Sequence, residues 1–298
     1  VPYEFRWIDH FACRLINTIT IRSGGNIVAQ YSGEYLHCMK ERDHTSKYLL
    51  WDRMSGNIPH FIDPANAYGR KNQYPSVIYD NSGNQTPSDI EPSIRGGQLY
   101  IPLGSWFSKT SKMALPLVAM QYQETYVEIK FNPIYQLYTL RDVFDVSGGY
   151  PRIAPNRFKD DHMLYRFINP PEDVSGNIYS NKKNAWNANV HLIGTYIWLD
   201  KQERAVFARD NQSYLIKTIH ETTYKNVVGV HTVEVFSKNL VSNWMFRLRR
   251  NDVDKLNEWF NYTNWPIKDK LPVDAKRADS SGNTPPYLTN INNKLAPI

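Results

Sequence analysis

The stretch that decides the fold is LINTITIRSGGNIVAQY, which runs from Leu15 to Tyr31. Apolar and polar residues alternate from Leu15 to Arg22, and this period of two predicts a half-buried β-strand. The following residues, SGGN at positions 23–26, have strong turn chemistry, and a second apolar run, IVAQY, returns directly afterwards. The sequence therefore predicts a β-hairpin here.

Similar alternation recurs along the chain, and QYQETYVEIKF at Gln121–Phe131 is its clearest instance. Helical spacing of the apolar residues covers only two short segments, Glu34–Lys40 and Asp200–Ala208. Asp200 is the predicted N-cap of the second segment. Further strands are predicted at Gln98–Ile101, Val190–Leu199, Val227–Phe236 and Trp244–Arg249. These elements predict an all-β fold with short helices.

Two long stretches lack periodicity and suggest how the chain is divided. Glu41–Gly97 is punctuated by prolines and is predicted to be a long loop, whereas Val146–Ala188 is predicted to join two domains. A chain of 298 residues is long enough for two domains. We therefore expect a first domain at 1–145, a joint at 146–188 and a second domain at 189–298, each a sandwich or jelly roll.

Charge and cysteine content restrict the possible functions. The formal net charge is +6, but basic and acidic residues are interspersed, and the one dense basic patch is Arg247, Arg249 and Arg250. A solvated strand edge explains this patch better than a nucleic-acid contact, so no specific nucleic-acid partner is expected. Cys13 and Cys38 form neither a disulfide framework nor a metal spacing, and buried free thiols are predicted.

None of the familiar catalytic or metal-binding motifs is complete. His220–Tyr224 begins like a zinc-protease helix but has Tyr224 where the second histidine belongs, and Asp160–His162 has no second ligand cluster at a suitable spacing. Carboxylates are plentiful, yet the sequence does not show which of them converge. We therefore predict no enzyme, no cofactor and no metal.

Asn211 and Asn261 stand in glycosylation sequons, and the sequon at Asn84 is disfavoured by the proline just after it.

Four blocks of the sequence resemble the major capsid proteins of nucleocytoplasmic large DNA viruses. LYIPLGSWFSKTSKMALPLVAMQYQETYVEIKF, Leu99–Phe131, is similar to that family's "YIPLPFWF" and "ALPLIALQYHEV" runs in its first jelly roll, and Asn132–Phe144 is similar to the family's continuation of that segment. Leu15–Lys40 resembles a family hairpin that leads into a "GEWL" stretch. YIWLDKQERAVFARDNQSYLI, Tyr196–Ile216, resembles the "YIFLDTEERRRFAQ…EYLI" start of the second jelly roll. The blocks are arranged along the chain in the family's order.

The resemblance implies two tandem jelly rolls, each incomplete in this chain, which looks like a fragment. It further implies a late structural protein that forms homotrimers, which are the capsomers tiling an icosahedral shell. Its expected partners are its own copies, neighbouring capsomers, minor capsid proteins and an inner membrane; its expected location is the virion capsid, after synthesis in the host cytoplasm. A carbohydrate-binding, lectin-like β-sandwich is the alternative, because jelly rolls also serve as lectins.

Aromatic side chains are the candidate functional residues under this hypothesis. They are expected either to line the interface between copies or to anchor loops, although filling the chain's own core is an equally ordinary role for them. The candidates are Trp106, Phe107, Trp259, Tyr262 and Trp265. In the alternating stretch 246–249, Phe246 and Leu248 are expected to enter the core while Arg247 and Arg249 face outward.

Overall fold

The computed structural model describes residues 4–67, 92–94, 96–147, 150–169, 189–235 and 240–262. Its regular structure is two three-stranded antiparallel sheets with short helices, so the predicted predominance of sheet over long helices is confirmed. The strands are β1 Phe5–Trp7, β2 Ile16–Ser23, β3 Asn26–Ser32, β4 Thr125–Phe131, β5 Tyr138–Arg141 and β6 Arg152–Ile153. The α-helices are α1 Phe11–Leu15, α2 Gly33–Asp43, α3 Tyr48–Met54, α4 Pro59–Ile62, α5 Tyr165–Ile168, α6 Lys201–Arg209 and α7 Val253–Leu256.

The predicted hairpin forms the centre of the first sheet, which has the order β3-β2-β4 and is called the hairpin sheet below. In β2, Ile19 lies opposite Tyr31 of β3 on one side and Ile129 of β4 on the other. The turn contains Gly24 and Gly25 at φ of 55° and 84°, a left-handed conformation that glycine adopts without steric cost. The predicted hairpin is confirmed, and the strand predicted at Gln121–Phe131 is confirmed for Thr125–Phe131, whereas residues 121–124 are not part of it.

A second sheet, the N-terminal sheet, has the order β1-β5-β6. Its core is aromatic: the Phe5 ring lies 4.8 Å from Trp7, 5.1 Å from Tyr138 and 5.1 Å from Phe167, measured between centroids. Phe167 belongs to α5, so residues beyond 150 pack onto the same core as β1. Burial of such large rings is a major source of stabilisation for a small sheet.

Helix α2 packs Leu36 and Met39 against the hairpin sheet. It begins at Gly33, where the backbone of α1 and β2 comes very close. A Cβ atom at Gly33 would lie 1.9 Å from the Cys13 carbonyl oxygen and 2.4 Å from that of Ile16. Only glycine therefore allows α2 to start this close to the end of α1. The predicted helix at Glu34–Lys40 is confirmed within these bounds.

Residues 41–67 differ from the prediction of a loop. They contain the end of α2, together with α3 and α4, and Trp51 of α3 is buried against the hairpin sheet. These helices are too short to show helical periodicity, which explains why the sequence pattern missed them. Gln98–Ile101 is also not a strand: the Tyr100 N–H donates to the Met54 carbonyl oxygen, but no ladder forms.

The strands predicted after residue 189 are absent from the described residues of that part of the chain. Residues 190–199, 227–235 and 244–249 carry no strand, and apolar side chains among them are exposed, including Trp198 at 93% and Val228 at 89%. A strand needs a neighbour to pair with, and no described segment lies beside these residues as a ladder. The predicted helix is confirmed as α6, where Asp200 and Glu203 form a reciprocal capping box.

Candidate functional site

The second half of the chain returns to the two sheets at several polar contacts, and the most extensive contact lies around Trp259. After α7, Asn257 adopts a left-handed conformation at φ 55° and donates from Nδ2 to the carbonyl oxygens of Tyr135 and Tyr138, at 2.7 and 2.9 Å. Trp259 Nε1 donates to the carbonyl oxygen of Gln136 at 2.9 Å. This segment is thus fixed to the entry of β5 by three hydrogen bonds to backbone oxygens.

Trp259 also stacks with basic side chains on the face that it presents to α1. The guanidinium carbon of Arg14 lies 3.5 Å from the centroid of the indole ring, and that of Arg249 lies at 5.7 Å. Trp259 is only 9% exposed and belongs to the core cluster of the N-terminal sheet. The structure therefore places this predicted residue inside the chain's own packing, where it anchors the segment that carries it.

Three arginines converge on one carboxylate next to Trp259, and they are called the arginine cluster below. Glu34, in the first turn of α2, is contacted by Arg14 at 3.3 Å, by Arg249 at 3.0 Å and by Arg247. Arg14 also donates to the side-chain oxygen of Gln136 at 2.8 Å. The cluster joins residues that are more than two hundred positions apart in the sequence.

The arginine cluster corrects the predicted orientation of residues 246–249. Phe246 and Leu248 are 90% and 80% exposed, whereas the side chains of Arg247 and Arg249 are only 32% and 26% exposed and turn toward Glu34. The prediction of Phe246 and Leu248 in the core was wrong for the described structure. The physical reason is that this stretch has no partner strand among the described residues, and ion pairing at Glu34 orients it instead.

Electrostatics within the arginine cluster oppose full protonation of its members. Burial lowers the pKa of Arg14 to about 10, and the positive charges of Arg249 and Arg247 add to this effect. The pKa of Arg247 is also lowered, first by burial, while the Tyr262 side chain that hydrogen-bonds it acts in the opposite direction.

A second long-range contact caps helix α2 from outside. Glu221 accepts hydrogen bonds from the Ser32 N–H at 2.8 Å and from the Ser32 hydroxyl at 2.7 Å, while Ser32 Oγ accepts from the Tyr35 N–H. A carboxylate at a helix N-terminus is favourably placed in the field of the helix. Glu221 therefore has a docking role, and among the described residues no group of metal-ligating side chains is found around it or elsewhere.

Trp106 and Phe107 lie in a short 3-10 turn, Trp106–Ser108, next to the core of the hairpin sheet. Trp106 is 8% exposed, with its ring centroid 5.4 Å from that of Phe107 and 5.7 Å from that of Tyr214. Phe107 packs on the hairpin-sheet core. Trp106 Nε1 is buried without an acceptor among the described residues. Both predicted residues thus help to hold residues near 214 against the first half of the chain.

The remaining predicted residues are distributed differently. Tyr262 is 37% exposed and hydrogen-bonds Arg247, whereas Trp265 and Asn84 lie outside the described residues. Asn211 is exposed, as a glycosylation acceptor must be. Asn261 is only 2% exposed and donates to the Glu258 carboxylate at 2.8 Å, so its burial argues against a glycan at this position.

The acidic cluster at Asp160–His162 serves a local structural role. Arg166 contacts Asp160 at 2.8 Å and Asp161 at 3.2 Å, and the Asn156 N–H donates to His162 Nδ1 at 3.0 Å. Burial is the first cause of the lowered pKa of His162. These contacts agree with the interpretation of a charge cluster that is not a metal site.

The structure also places the two cysteines and gives the lengths of the described helices. Cys13 is a buried free thiol, as predicted, and burial raises its pKa to about 12, whereas Cys38 is free but only half-buried. Within the described ranges, no helix combines the length and the apolarity needed to cross a membrane.

Sequence reasoning missed several residues that dominate these contacts. Glu34 and Glu221 lie in stretches that were interpreted only as a helix and as an incomplete zinc motif, and Arg14 and Asn257 had no signal at all. Their contacts join residues after 220 either to the first 34 residues or to the start of β5. Local sequence patterns carry no information about contacts between residues so far apart in the sequence. A helix start, SGEY at 32–35, was the one signal that could have indicated a site for a carboxylate.

The described structure defines a class of protein: a β-sheet protein with short helices, in which a long second half is docked onto two sheets by ion pairs, amides and aromatic rings. A family described as "Major capsid protein N-terminus" matches residues 1–200. The chain belongs to this major capsid protein family, and the resemblance stated from the sequence is confirmed.

Individual relatives agree with the family match. The chain is 24% identical to "Capsid protein 1" of Acanthamoeba polyphaga mimivirus over 74% of this chain and 29% of the relative. It is 27% identical to "Probable capsid protein 4" of the same virus over 89% of this chain and 59% of the relative. A solved structure, the Faustovirus major capsid protein, aligns with 52% of this chain and 30% of its own at 14% identity and a TM-score of 0.30. The chain thus spans from about a third to somewhat more than half of the two curated relatives.

Proposed function

We propose that this chain is the N-terminal part of a structural capsid subunit that forms homotrimers, and that these trimers tile the icosahedral shell of a large DNA virus. The observation that carries the proposal is the family match over residues 1–200, together with relatives named as capsid proteins. Its role is structural rather than catalytic, and its location is the virion capsid. Synthesis in the host cytoplasm belongs to the same proposal.

The proposed architecture is a double jelly roll with domains at 1–145 and 189–298 and a joint at 146–188. Antiparallel sheets with an aromatic core support the first roll. Support for the second comes from the nearly continuous apolar run Val190–Leu199 and the alternating sequence of Val227–Phe236, whose described apolar side chains are mostly exposed and available for burial. Part of the joint, β6 and α5, packs on the core of the N-terminal sheet.

The proposed partners are other copies of the chain, neighbouring capsomers, minor capsid proteins and an inner membrane, with no specific nucleic acid. Permanent interfaces between subunits bury about 2,000–5,000 Å² and are rich in apolar surface. Exposed apolar residues are numerous in the described second half, and Leu240 and Phe246 are examples at 101% and 90%. Such surface is costly for a monomer to leave in water and supports assembly.

The test is the mass of the complete protein that contains this sequence, measured by light scattering after size-exclusion chromatography. A species of about three subunit masses with a pseudo-hexagonal outline in electron micrographs is expected. A monomer that binds sugars on a glycan array would instead favour the lectin-like alternative. A monomer without glycan binding at micromolar concentration would contradict both.

A further inference from the structure

Among the described residues, the ion pairs of the arginine cluster all go to one carboxylate, Glu34, which cannot neutralise the positive charge of three arginines. Arg14, Arg247 and Arg249 contribute three positive charges, and Glu34 contributes one negative charge, so the cluster has an excess of two. Three guanidinium groups within contact distance of one carboxylate repel one another, and an additional anion would relieve that repulsion.

Hydrogen-bond donors are also in excess at this place. Each guanidinium offers five N–H groups, whereas the two Glu34 oxygens, Gln136 and the Trp259 carbonyl oxygen accept only some of them. Arg14 Nε is buried and has no acceptor among the described residues. Buried donors of this kind are ordinarily satisfied in proteins, so an acceptor is expected there.

The two later arginines give the cluster most of its exposure to solvent among the described residues. The side chain of Arg14 is 14% exposed and is covered by the Trp259 ring, while those of Arg247 and Arg249 are 32% and 26% exposed. The cluster therefore has a closed floor, made by Arg14 and Trp259, and an open rim, made by the two later arginines. An anion could reach the rim without any rearrangement of the sheets.

We propose that the arginine cluster is a binding site for a phosphate dianion, either free inorganic phosphate or the phosphomonoester of a lipid headgroup. The planar fork of a guanidinium matches two phosphate oxygens at once, which a lysine cannot do. A phosphate monoester carries a charge close to −2 above its second pKa of about 6, which balances the excess of two. This site goes beyond the proposed capsid role and does not depend on it.

The first experiment measures inorganic phosphate binding to the full 298-residue chain by isothermal titration calorimetry at low ionic strength and about pH 7.5, where phosphate is mostly the dianion. Saturable binding of one phosphate per chain is expected. Arg249→Gln and Arg247→Gln should each weaken binding about tenfold or more, because each removes charge-assisted hydrogen bonds. Arg209→Gln is the matched control, since it removes the same charge from an arginine that is 77% exposed and outside the cluster.

A second variant keeps the test decisive if loss of an arginine impairs folding. Glu34→Gln raises the excess charge from two to three while keeping one acceptor, so phosphate should bind several-fold more tightly. Phosphate should also raise the Tm of the native chain and raise that of Glu34→Gln further. Absence of saturable binding to the native chain, or equal weakening by Arg209→Gln and Arg249→Gln, would overturn the proposal.

Vesicle flotation distinguishes the two sources of the phosphate group. Phosphatidylcholine vesicles containing phosphatidic acid present a phosphomonoester, whereas those containing phosphatidylserine present a diester and a carboxylate at similar surface charge. Flotation with the first vesicles only, lost in Arg249→Gln, identifies a lipid headgroup as the ligand. Binding of free phosphate without vesicle flotation identifies the soluble ion.

Discussion

Acid should destabilise this protein through one buried histidine, His37 of α2. Its ring is 8% exposed, stacks on Phe260 at 4.5 Å and meets His10 edge-on at 4.4 Å. Burial lowers the pKa of His37 to about 3, with further lowering by the charges of His10 and Lys40 and opposition from Asp52. The native protein therefore holds this imidazole neutral.

The sign and size of the effect are set by linkage between protonation and folding. In the unfolded chain His37 has the ordinary pKa of 6.5, so the unfolded state binds a proton below pH 6.5 that the native state refuses until about pH 3. Stability is fully present above pH 6.5 and is lost as the pH falls toward 3. The loss is about 2 kcal/mol at pH 5 and about 5 kcal/mol when complete.

Urea denaturation from about pH 7.5 to pH 4, monitored by circular dichroism, measures this loss in the native chain and in His37→Gln. The variant will be less stable at the upper pH, but its free energy of unfolding should fall by about 2 kcal/mol less between about pH 7.5 and 5. His220→Gln makes the same substitution at an exposed histidine and serves as the matched control. The same pH dependence in His37→Gln as in the native chain would refute the reasoning.

Three further predictions concern packing and charge, and each can be checked by the same denaturation at neutral pH. Gly33→Ala should cost about 3 kcal/mol or more, because its Cβ would meet two carbonyl oxygens, whereas Gly96→Ala, with nothing within 4 Å, should be nearly neutral; equal effects would contradict the close approach of α2. Trp259→Ala should cost about 3–5 kcal/mol, and a similar cost for Trp198→Ala, whose ring is 93% exposed, would disprove the anchoring role of Trp259. Glu4→Gln should cost about 3–5 kcal/mol because Glu4 is 2% exposed and contacts two arginines at 2.6 Å each; a loss below about 1 kcal/mol would show that the buried ion pairs are not needed.

Local structure was predictable where the residues that pair with each other lie within one short segment. The hairpin of β2 and β3 was predicted because both strands and their glycine turn lie within one short segment, and strand β4 because its alternation is unbroken. One of the two residues of the α6 capping box, Asp200, was predicted as the N-cap because it directly precedes the helical spacing. In these places the backbone conformation depends on nearest neighbours along the chain.

Prediction failed where the partner lies far away or where a segment is short. Residues 41–67 were interpreted as loop because α3 and α4 span seven and four residues, less than a reliable period. The predicted orientation of residues 246–249 was the reverse of the observed one. Alternation shows that the two faces of a segment differ, but it does not show which face packs against the rest of the protein. Trp259 was a candidate from the sequence, whereas the residues that it contacts in the structure, Gln136 and Arg14, were not.

By itself, the sequence determined the family, the β-rich character and the hairpin, because these depend on residue order and local periodicity. Only the tertiary structure brought Arg14, Arg247 and Arg249 around Glu34, and only it placed the Glu221 carboxylate at the start of α2. The physical reason is that charge and hydrogen-bond partners are selected by distance in space. Segments separated by about two hundred residues meet there only in the folded chain.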